Sequence, residues 1–428
     1  MTETGSAQSI EAVYRIESSR LIAGLARYVR NVGLAEELAQ DALVAALEQW
    51  PKQGMPDNPG AWLMATAKRR AIDQFRRNAT LARKHEEIGR DLETRNNTGE
   101  EEFEAALEQD LGDDLLRLMF VSCHPVLSTD GRVSLTLRLL GGLTTGEIAR
   151  AFLVPESTVA QRIVRAKKTL AQANVPFEVP QGAELVERLA SVLEVVYLVF
   201  NEGYSATAGD DWMRPALVAD ALRLGRVLAE LAPKEPEVHG LVALMEIQAS
   251  RSRARTGATG EPILLLDQNR SKWDQILIRR GLTALERAER LGGAPGPYLL
   301  QAAIAACHAR ARTADETDWV RIAQLYAQLA SVLPSPVVEL NRSVAVGMAF
   351  GPGVGLQLVD ALAEEHALAG YHFLPAVRGD FLEKLGRLEE AREEFERAAG
   401  MTQNARERRL LTSRAAACTV GIATASSR

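Results

Sequence analysis

The 428-residue sequence contains only three cysteines, Cys123, Cys307 and Cys418. They are odd in number and far apart, which argues against a disulfide framework and for a reducing compartment. A long hydrophobic run is also missing. The most apolar stretch, Leu193 to Phe200, contains Glu194 and is far too short to span a bilayer. The start of the chain lacks a secretory pattern, because Glu3, Glu11 and Glu17 interrupt it. No membrane association is expected, and a cytoplasmic location is. Charge of one sign is not in excess either. With 50 Lys and Arg against 56 Asp and Glu the formal net charge is -6, so any contact with nucleic acid must come from local patches.

Chemistry is sparse in the same way. The sequence offers no paired carboxylates with an evident pocket, no nucleophile beside a base and no phosphate-cradling glycine loop, so an enzyme is disfavoured and no cofactor is expected. Cys123 and His124 are adjacent and cannot readily ligate one ion, and no second Cys/His pair stands at ligand spacing. Core packing is the expected role for this pair, and no metal. Strand-like alternation is nearly absent too. Ala, Leu, Glu and Arg dominate with recurring helical periodicity, which makes the chain all-α, and its length exceeds what one core supports, so two or three domains are expected.

The most informative segment present is LTTGEIARAFLVPESTVAQRIVRAKKTL, Leu143 to Leu170. Thr144 followed by Glu147 forms a capping box that satisfies amide donors at a helix start. The first helix turns Ile148, Ala149 and Phe152 inward and ends before Pro155, whose ring disfavours the α conformation at Val154. On the second helix Val159, Ile163, Ala166 and Leu170 form one apolar stripe. Ser157, Gln161, Arg165 and Lys168 then fall on the opposite side, and Arg162 flanks the stripe. This is a helix-turn-helix pattern with a basic outer face. Taken alone it fits either a DNA reader or two amphipathic helices of an ordinary bundle with a solvated face.

Nearer the N-terminus an amphipathic stretch, Leu34 to Trp50, is followed by a Pro/Gly break, PKQGMPDNPG, at Pro51 to Gly60. From Trp62 to Arg77 a stripe of Met64, Ala67, Ala71 and Phe75 opposes Thr66, Arg69, Arg70, Asp73, Arg76 and Arg77. One face packs and the other is mostly positive. Between Asp91 and Asp114 ten acidic residues face a single base, Arg95, which reads as a solvated and partly flexible linker. An alternative is a polyanionic segment that shields the basic faces when DNA is absent. VPFEVPQG, Val175 to Gly182, marks a domain boundary.

Beyond it, helix follows helix to about Arg414. Gly379, Leu382, Gly386, Ala391, Phe395 and Ala398 fit the small and large positions of a tetratricopeptide template, while earlier repeats are degenerate. Such pairs stack into a solenoid with a concave surface suited to a peptide or protein partner. NEGY at Asn201 to Tyr204, TDW at Thr317 to Trp319 and PVVELNR at Pro336 to Arg342 carry polar residues that serve either as helix caps and inter-helix hydrogen bonds or as the lining of a binding site.

Taken together, residues 10–173 resemble the extracytoplasmic-function group of sigma-70-type sigma factors of bacterial RNA polymerase. LRLMFVSCHPVLSTDGRVSLTLRLLGGL, Leu116 to Leu143, narrows the resemblance to a subgroup with a long tetratricopeptide-related C-terminal extension. NEGY, TDW and PVVELNR match that extension. The resemblance implies sigma region 2 over 8–80, an acidic linker over 81–112, sigma region 4 over 113–175 and a tetratricopeptide-like helical regulatory domain over 183–416.

It further implies that AEELAQDALVAALEQW, Ala35 to Trp50, docks on the β′ clamp helices through Glu36, Glu37, Gln40 and Asp41. GAWLMATAKRRAIDQFRR, Gly60 to Arg77, would melt and read the minus-10 element with Arg69, Arg70, Asp73, Arg76 and Arg77, an unpaired base being captured near the loop at 51–60. Trp62, at the start of that helix, is assigned to packing. The helix from Glu156 to Leu170 would read the minus-35 element with Glu156, Ser157, Thr158, Gln161, Arg162 and Arg165. The implied partners are core RNA polymerase, through its β′ clamp and β flap, and promoter DNA. A protein or peptide partner for the C-terminal domain, which would regulate the factor in cis, is a further expectation. Two rival readings are a DNA-binding regulator that never joins the polymerase and a tetratricopeptide-type adaptor.

Overall fold

The computed structural model describes residues 3–85, 111–152, 154–206, 213–257 and 261–426. The described residues form eighteen α-helices, and the one β pairing among them is an isolated bridge between Thr256 and Pro262. Among them no helix is long and apolar enough to cross a membrane. The chain divides into two compact units, residues 1–196 and 197–428.

In the first unit, α1 (Glu3–Val29), α2 (Val32–Gln53) and α3 (Pro59–His85) pack mutually, and α1 also carries α4 (Leu111–Ser122) and touches α5 (Thr129–Leu139). Beyond these, α5 and α6 (Thr145–Phe152) both pack on α7 (Glu156–Gln172). Local chemistry sets each helix start. The Asn31 side chain accepts from the Leu34 N–H at 3.0 Å, Asn58 accepts from Ala61 at 3.1 Å and Ser128 from Gly131 at 3.3 Å. Alanines 35, 39, 42 and 46 on α2 are fully buried, and their small side chains let the neighbouring helices approach closely.

Three departures from the sequence pattern have simple causes. Helix α2 runs through Pro51 to Gln53, because a proline in the final turn forfeits a single backbone donor; Gly54, at φ +86°, then ends it and donates to the Trp50 carbonyl. Asp114, the last residue of the acidic run, is not solvated. It is 2% exposed and paired with Arg117 at 2.6 Å and Arg27 at 3.5 Å, so burial is compensated by two cations. The linker's remaining acidic residues, and with them the shielding role, lie outside the described side chains.

The third departure concerns the boundary. Helix α8 (Gly182–Tyr204) begins after the Pro/Gly stretch, yet its first turns belong to the first unit. Arg188 donates to the Phe120 carbonyl at 3.0 Å and Ser191 to the Cys123 carbonyl at 2.5 Å. Those carbonyls stand at the C-terminal end of α4, where helical partners run out, so α8 supplies donors that the end of α4 requires. Arg132 ties the junction by donating to Ser191 at 2.5 Å and Glu194 at 2.9 Å. Cys123 is buried here with its Sγ 3.3 Å from the Thr136 hydroxyl, and burial pushes its thiol up to about 11, which makes it a core residue.

In the second unit most helices pack on their chain neighbours: α9 (Pro215–Leu231), α10 (Pro236–Ala249), α11 (Gln275–Leu291), α12 (Pro297–Arg310), α13 (Trp319–Val332), α14 (Pro336–Phe350), α15 (Pro352–Ala361), α16 (Phe373–Lys384), α17 (Leu388–Met401) and α18 (Ala405–Ser426), with α12 also packed extensively on α10. In the α16–α17 pair, Leu382, Ala391, Phe395 and Ala398 are fully buried. A Cβ on Gly379 would sit 2.8 Å from the Phe395 ring, so only glycine admits that ring, and Gly386 turns the chain at φ +76°.

Candidate nucleic-acid interface

Helix α7 presents two chemically distinct sides. Val159, Ile163, Ala166 and Leu170 are buried against the unit, at 0 to 7% exposure. Glu156, Ser157, Gln161, Arg165 and Lys168 are exposed, and Thr158 and Arg162 are half-buried. The helix-turn-helix entry is held as its capping box requires: the Thr144 N–H donates to Glu147 at 2.8 Å and the Glu147 N–H returns a bond to the Thr144 hydroxyl at 3.1 Å. Ile148 and Ala149 are buried as their spacing requires, and Phe152, in the last turn of α6, is half-buried. Of the six residues expected to meet DNA, Arg162 has an ion-pair partner within the chain, Asp130 at 2.6 Å. That pair is partly exposed and holds the guanidinium at the edge of the face.

On α3 the stripe is buried at Met64, Ala67 and Ala71, whereas Phe75 remains 39% exposed. The cause is the length of its partner: Phe75 meets Tyr28 edge-on at 6.4 Å, and α1 ends one residue later. Arg69, Asp73 and Arg76 are exposed on the other side, and Arg70 is half-buried with Asp41 3.4 Å away. The side chain of Arg77 lies outside the described residues. Trp62 sets its ring against the buried Trp50 at 5.3 Å, edge to face, which is the packing contact expected of it.

The four acidic and polar residues of α2 separate into two groups. Glu37 and Asp41 are exposed and Gln40 is half-buried. Glu36, by contrast, is 3% exposed and held inside the unit. Its carboxylate accepts from Arg138 of α5 at 2.6 Å and from Gln40 at 2.8 Å, and Lys167 of α7 closes on its other oxygen. Burial alone would push this carboxyl up, but the Lys167 ammonium and the Arg138 guanidinium outweigh it and hold the group below the ordinary carboxylate range. Tyr14 lies beside the same charges, and burial raises its hydroxyl to about 12. Arg138 also donates to the Leu143 carbonyl at 3.2 Å, just ahead of the helix-turn-helix. Glu36 thus ties α2 to both α5 and α7. Sequence reasoning missed Arg138 and Lys167, since helical spacing carries no information about a partner 102 residues away.

Among the described residues no group of three or more His, Cys, Asp and Glu is placed to hold a metal ion. What the first unit offers is two exposed helical faces rich in Arg, Lys and Gln, groups that neutralise phosphates and read base edges, and one exposed acidic stretch on α2.

Comparison with known proteins agrees with that geometry. Residues 13–80 match the family described as Sigma-70 region 2 and residues 117–170 match Sigma-70, region 4. Residues 188–289 match a family of unknown function (DUF6596). An uncharacterized protein of Rhizobium meliloti (strain 1021) is 43% identical over 408 residues, covering 95% of this chain and 94% of its own length. The ECF RNA polymerase sigma factor SigK of Mycobacterium ulcerans (strain Agy99) is 27% identical over 173 residues, 39% of this chain and 86% of the relative. The two matched regions coincide with the α1–α3 and α4–α7 portions of the first unit, and the chain belongs to the extracytoplasmic-function sigma factors of the sigma-70 type, with a C-terminal extension.

Proposed function

We propose that this sigma factor directs promoter-specific initiation by core RNA polymerase, reading the minus-35 element with the outer face of α7 and the minus-10 element with the basic side of α3. The observation that carries this reading is the division of α7 into a fully packed stripe and an exposed Ser157, Gln161, Arg165 and Lys168 face. On α3, Arg69, Arg70, Asp73 and Arg76 are the proposed contacts, with Arg77 following from the sequence pattern alone. On α2, Glu37 and Asp41 are the acidic groups available to the clamp, with Gln40 beside them. Glu36 acts differently from its neighbours: engaged by Arg138 and Lys167, it orients α2 rather than meeting the polymerase directly. Replacing Arg69, Arg70 and Arg76 together with Ala tests the minus-10 assignment. Transcription should be lost with folding intact, and retained transcription would leave a promoter role for α3 without support.

The second unit is proposed to regulate the first in cis and to engage a protein or peptide partner, an idea motivated by an extension larger than the promoter-reading part. Deletion tests it, but the cut must respect the fold. Truncation after Val179 would remove Arg188 and Ser191, which donate to the end of α4. Truncation after Val196 retains them. A change in transcription output, in either direction, supports regulation in cis, and equal output in the test tube and in cells rules it out.

A further inference from the structure

The second unit contains a buried cationic cluster that promoter recognition does not use. Between α10 and α11 the chain makes three short 3-10 turns, Ser252–Ala254, Leu265–Asp267 and Arg270–Lys272. They bring Arg251, Arg255, Arg270 and Trp273 together with Tyr204 from the end of α8 and His308 of α12. Arg255 lies 3.6 Å over the Tyr204 ring, Arg251 5.7 Å from the same ring and 6.0 Å from Trp273, and Arg270 4.7 Å from Trp273. Arg251, Arg255, His308 and Trp273 are each more than nine-tenths buried.

Neutral acceptors hold two of the three guanidiniums. Arg255 donates to the Tyr204 carbonyl, and Arg270 to the carbonyls of His308 at 2.5 Å and Ala311 at 2.8 Å and to the Thr317 hydroxyl at 3.1 Å. Arg251 is different. Its guanidinium meets the two aromatic rings and, among the described residues, makes no hydrogen bond or ion pair; its Nε is fully buried without an acceptor. Trp273 Nε1 and His308 Nδ1 are likewise buried without partners.

Burial lowers Arg255, with Tyr204 opposing and Arg251 adding to it; burial and Arg251 also lower Arg270, with Glu316 opposing. Burial, then Arg251 and Arg270, push His308 down to about 3, so at neutral pH it is uncharged and its ring faces Trp319 edge-on at 5.1 Å. Arg251 is the cation common to these shifts, and its Nε has no acceptor. A buried cation without an acceptor is among the most costly groups a fold can hold, and donors without acceptors define the kind of ligand that would relieve it. Trp273 also lines a shallow open groove of about 570 Å³ with Arg253, Ser271, Lys272, Asp274, Gln275 and Ile276.

We propose that this cluster is a binding site for an oxyanion, the carboxylate or phosphate of a small ligand, with Arg251 as its principal contact and Trp273 Nε1 as a second donor. The rings of Tyr204 and Trp273 shield the guanidinium face and leave its edge for bidentate bonding to the anion. Nothing in this site depends on DNA or polymerase binding by the first unit.

The test uses the full chain. Its thermal midpoint is measured in sodium phosphate, sodium acetate and sodium chloride at equal ionic strength and pH 7.5. A saturable rise in phosphate or in acetate relative to chloride is expected, and which anion produces it assigns the ligand class. Arg251→Met should abolish the rise while raising the midpoint in chloride, because it removes an unpaired buried charge. Trp273→Phe, which keeps the ring, should weaken the apparent affinity at least about tenfold, the worth of one hydrogen bond to a charged group. If neither anion shifts the midpoint beyond chloride, the proposal is overturned. It is equally overturned if Arg251→Met lowers the midpoint in chloride and leaves the anion-dependent increment intact, since Arg251 would then be a packing residue.

Discussion

Replacing Glu36 with Gln keeps the size of the side chain and removes its charge. The carboxylate is 4% exposed and meets two cations, Arg138 and Lys167, whose side chains retain 24% and 22% exposure. Removing one partner of a fully buried pair costs about 3–5 kcal/mol, while losing a hydrogen bond to a charged group costs roughly 1.5–3 kcal/mol. Here both cations can turn partly toward water, which places the expected loss between these limits, at about 2–3 kcal/mol. For a unit of this size that corresponds to a fall in the melting midpoint of roughly 5–10 °C. Chemical unfolding of E36Q beside the wild type gives the free energy directly, and a double-mutant cycle with Lys167→Met isolates the pair. A loss below about 0.5 kcal/mol, within the range of surface substitutions, would refute the claim that this carboxylate joins α2 to α5 and α7. The pH dependence has a definite sign. Because the folded group is held below its ordinary value of about 4.5, its contribution is complete above that value and is lost as the pH falls through the folded one. E36Q should flatten this acid limb.

Three further outcomes follow. For His308, the ordinary value is 6.5 and the folded one about 3, so only the unfolded chain takes up this proton as the pH falls from 6.5; unfolding at pH 7 and 5.5 should show about 1 kcal/mol of lost stability that His308→Gln removes, and an unchanged slope in the variant would count against a neutral buried ring. Gln161→Ala and Arg165→Ala, both exposed, should each leave stability within about 0.5 kcal/mol and weaken promoter binding by about 1–3 kcal/mol, read by titration at fixed salt. Charge reversal of Glu37 and Asp41 to Lys should raise the dissociation constant for core polymerase about tenfold without unfolding the chain, because the Asp41–Arg70 pair is exposed and contributes little; unaltered affinity would remove α2 from the interface.

Much of the first unit was legible because its information is local. The spacing of Val159, Ile163, Ala166 and Leu170 sets the buried face of α7, and the capping box at Thr144 and Glu147 sets the start of α6, each within a few residues of the effect. What lay hidden depends on partners far apart along the chain. Glu36 belongs by composition with Glu37 and Asp41, and only the fold brings Arg138 and Lys167 to it. Asp114 is the end of an acidic run by sequence and a buried ion-pair partner of Arg27 in space. The prolines at 176 and 180 suggest a boundary, yet Arg188 and Ser191 continue to serve α4 beyond them. In the second unit NEGY and TDW hinted at a polar site through Tyr204 and Thr317, but Arg251, Arg255 and Arg270 carry no periodic or motif signal.

The most direct measurement is transcription by purified core RNA polymerase that lacks a sigma factor, supplied with fragmented genomic DNA and this chain, with the start sites sequenced. Initiation at a set of sites sharing one upstream and one start-proximal element is expected, with the upstream preference altered in Gln161→Ala and Arg165→Ala. No initiation above core enzyme alone, by either the full chain or residues 1–196, would contradict its proposed role as a promoter-specificity subunit.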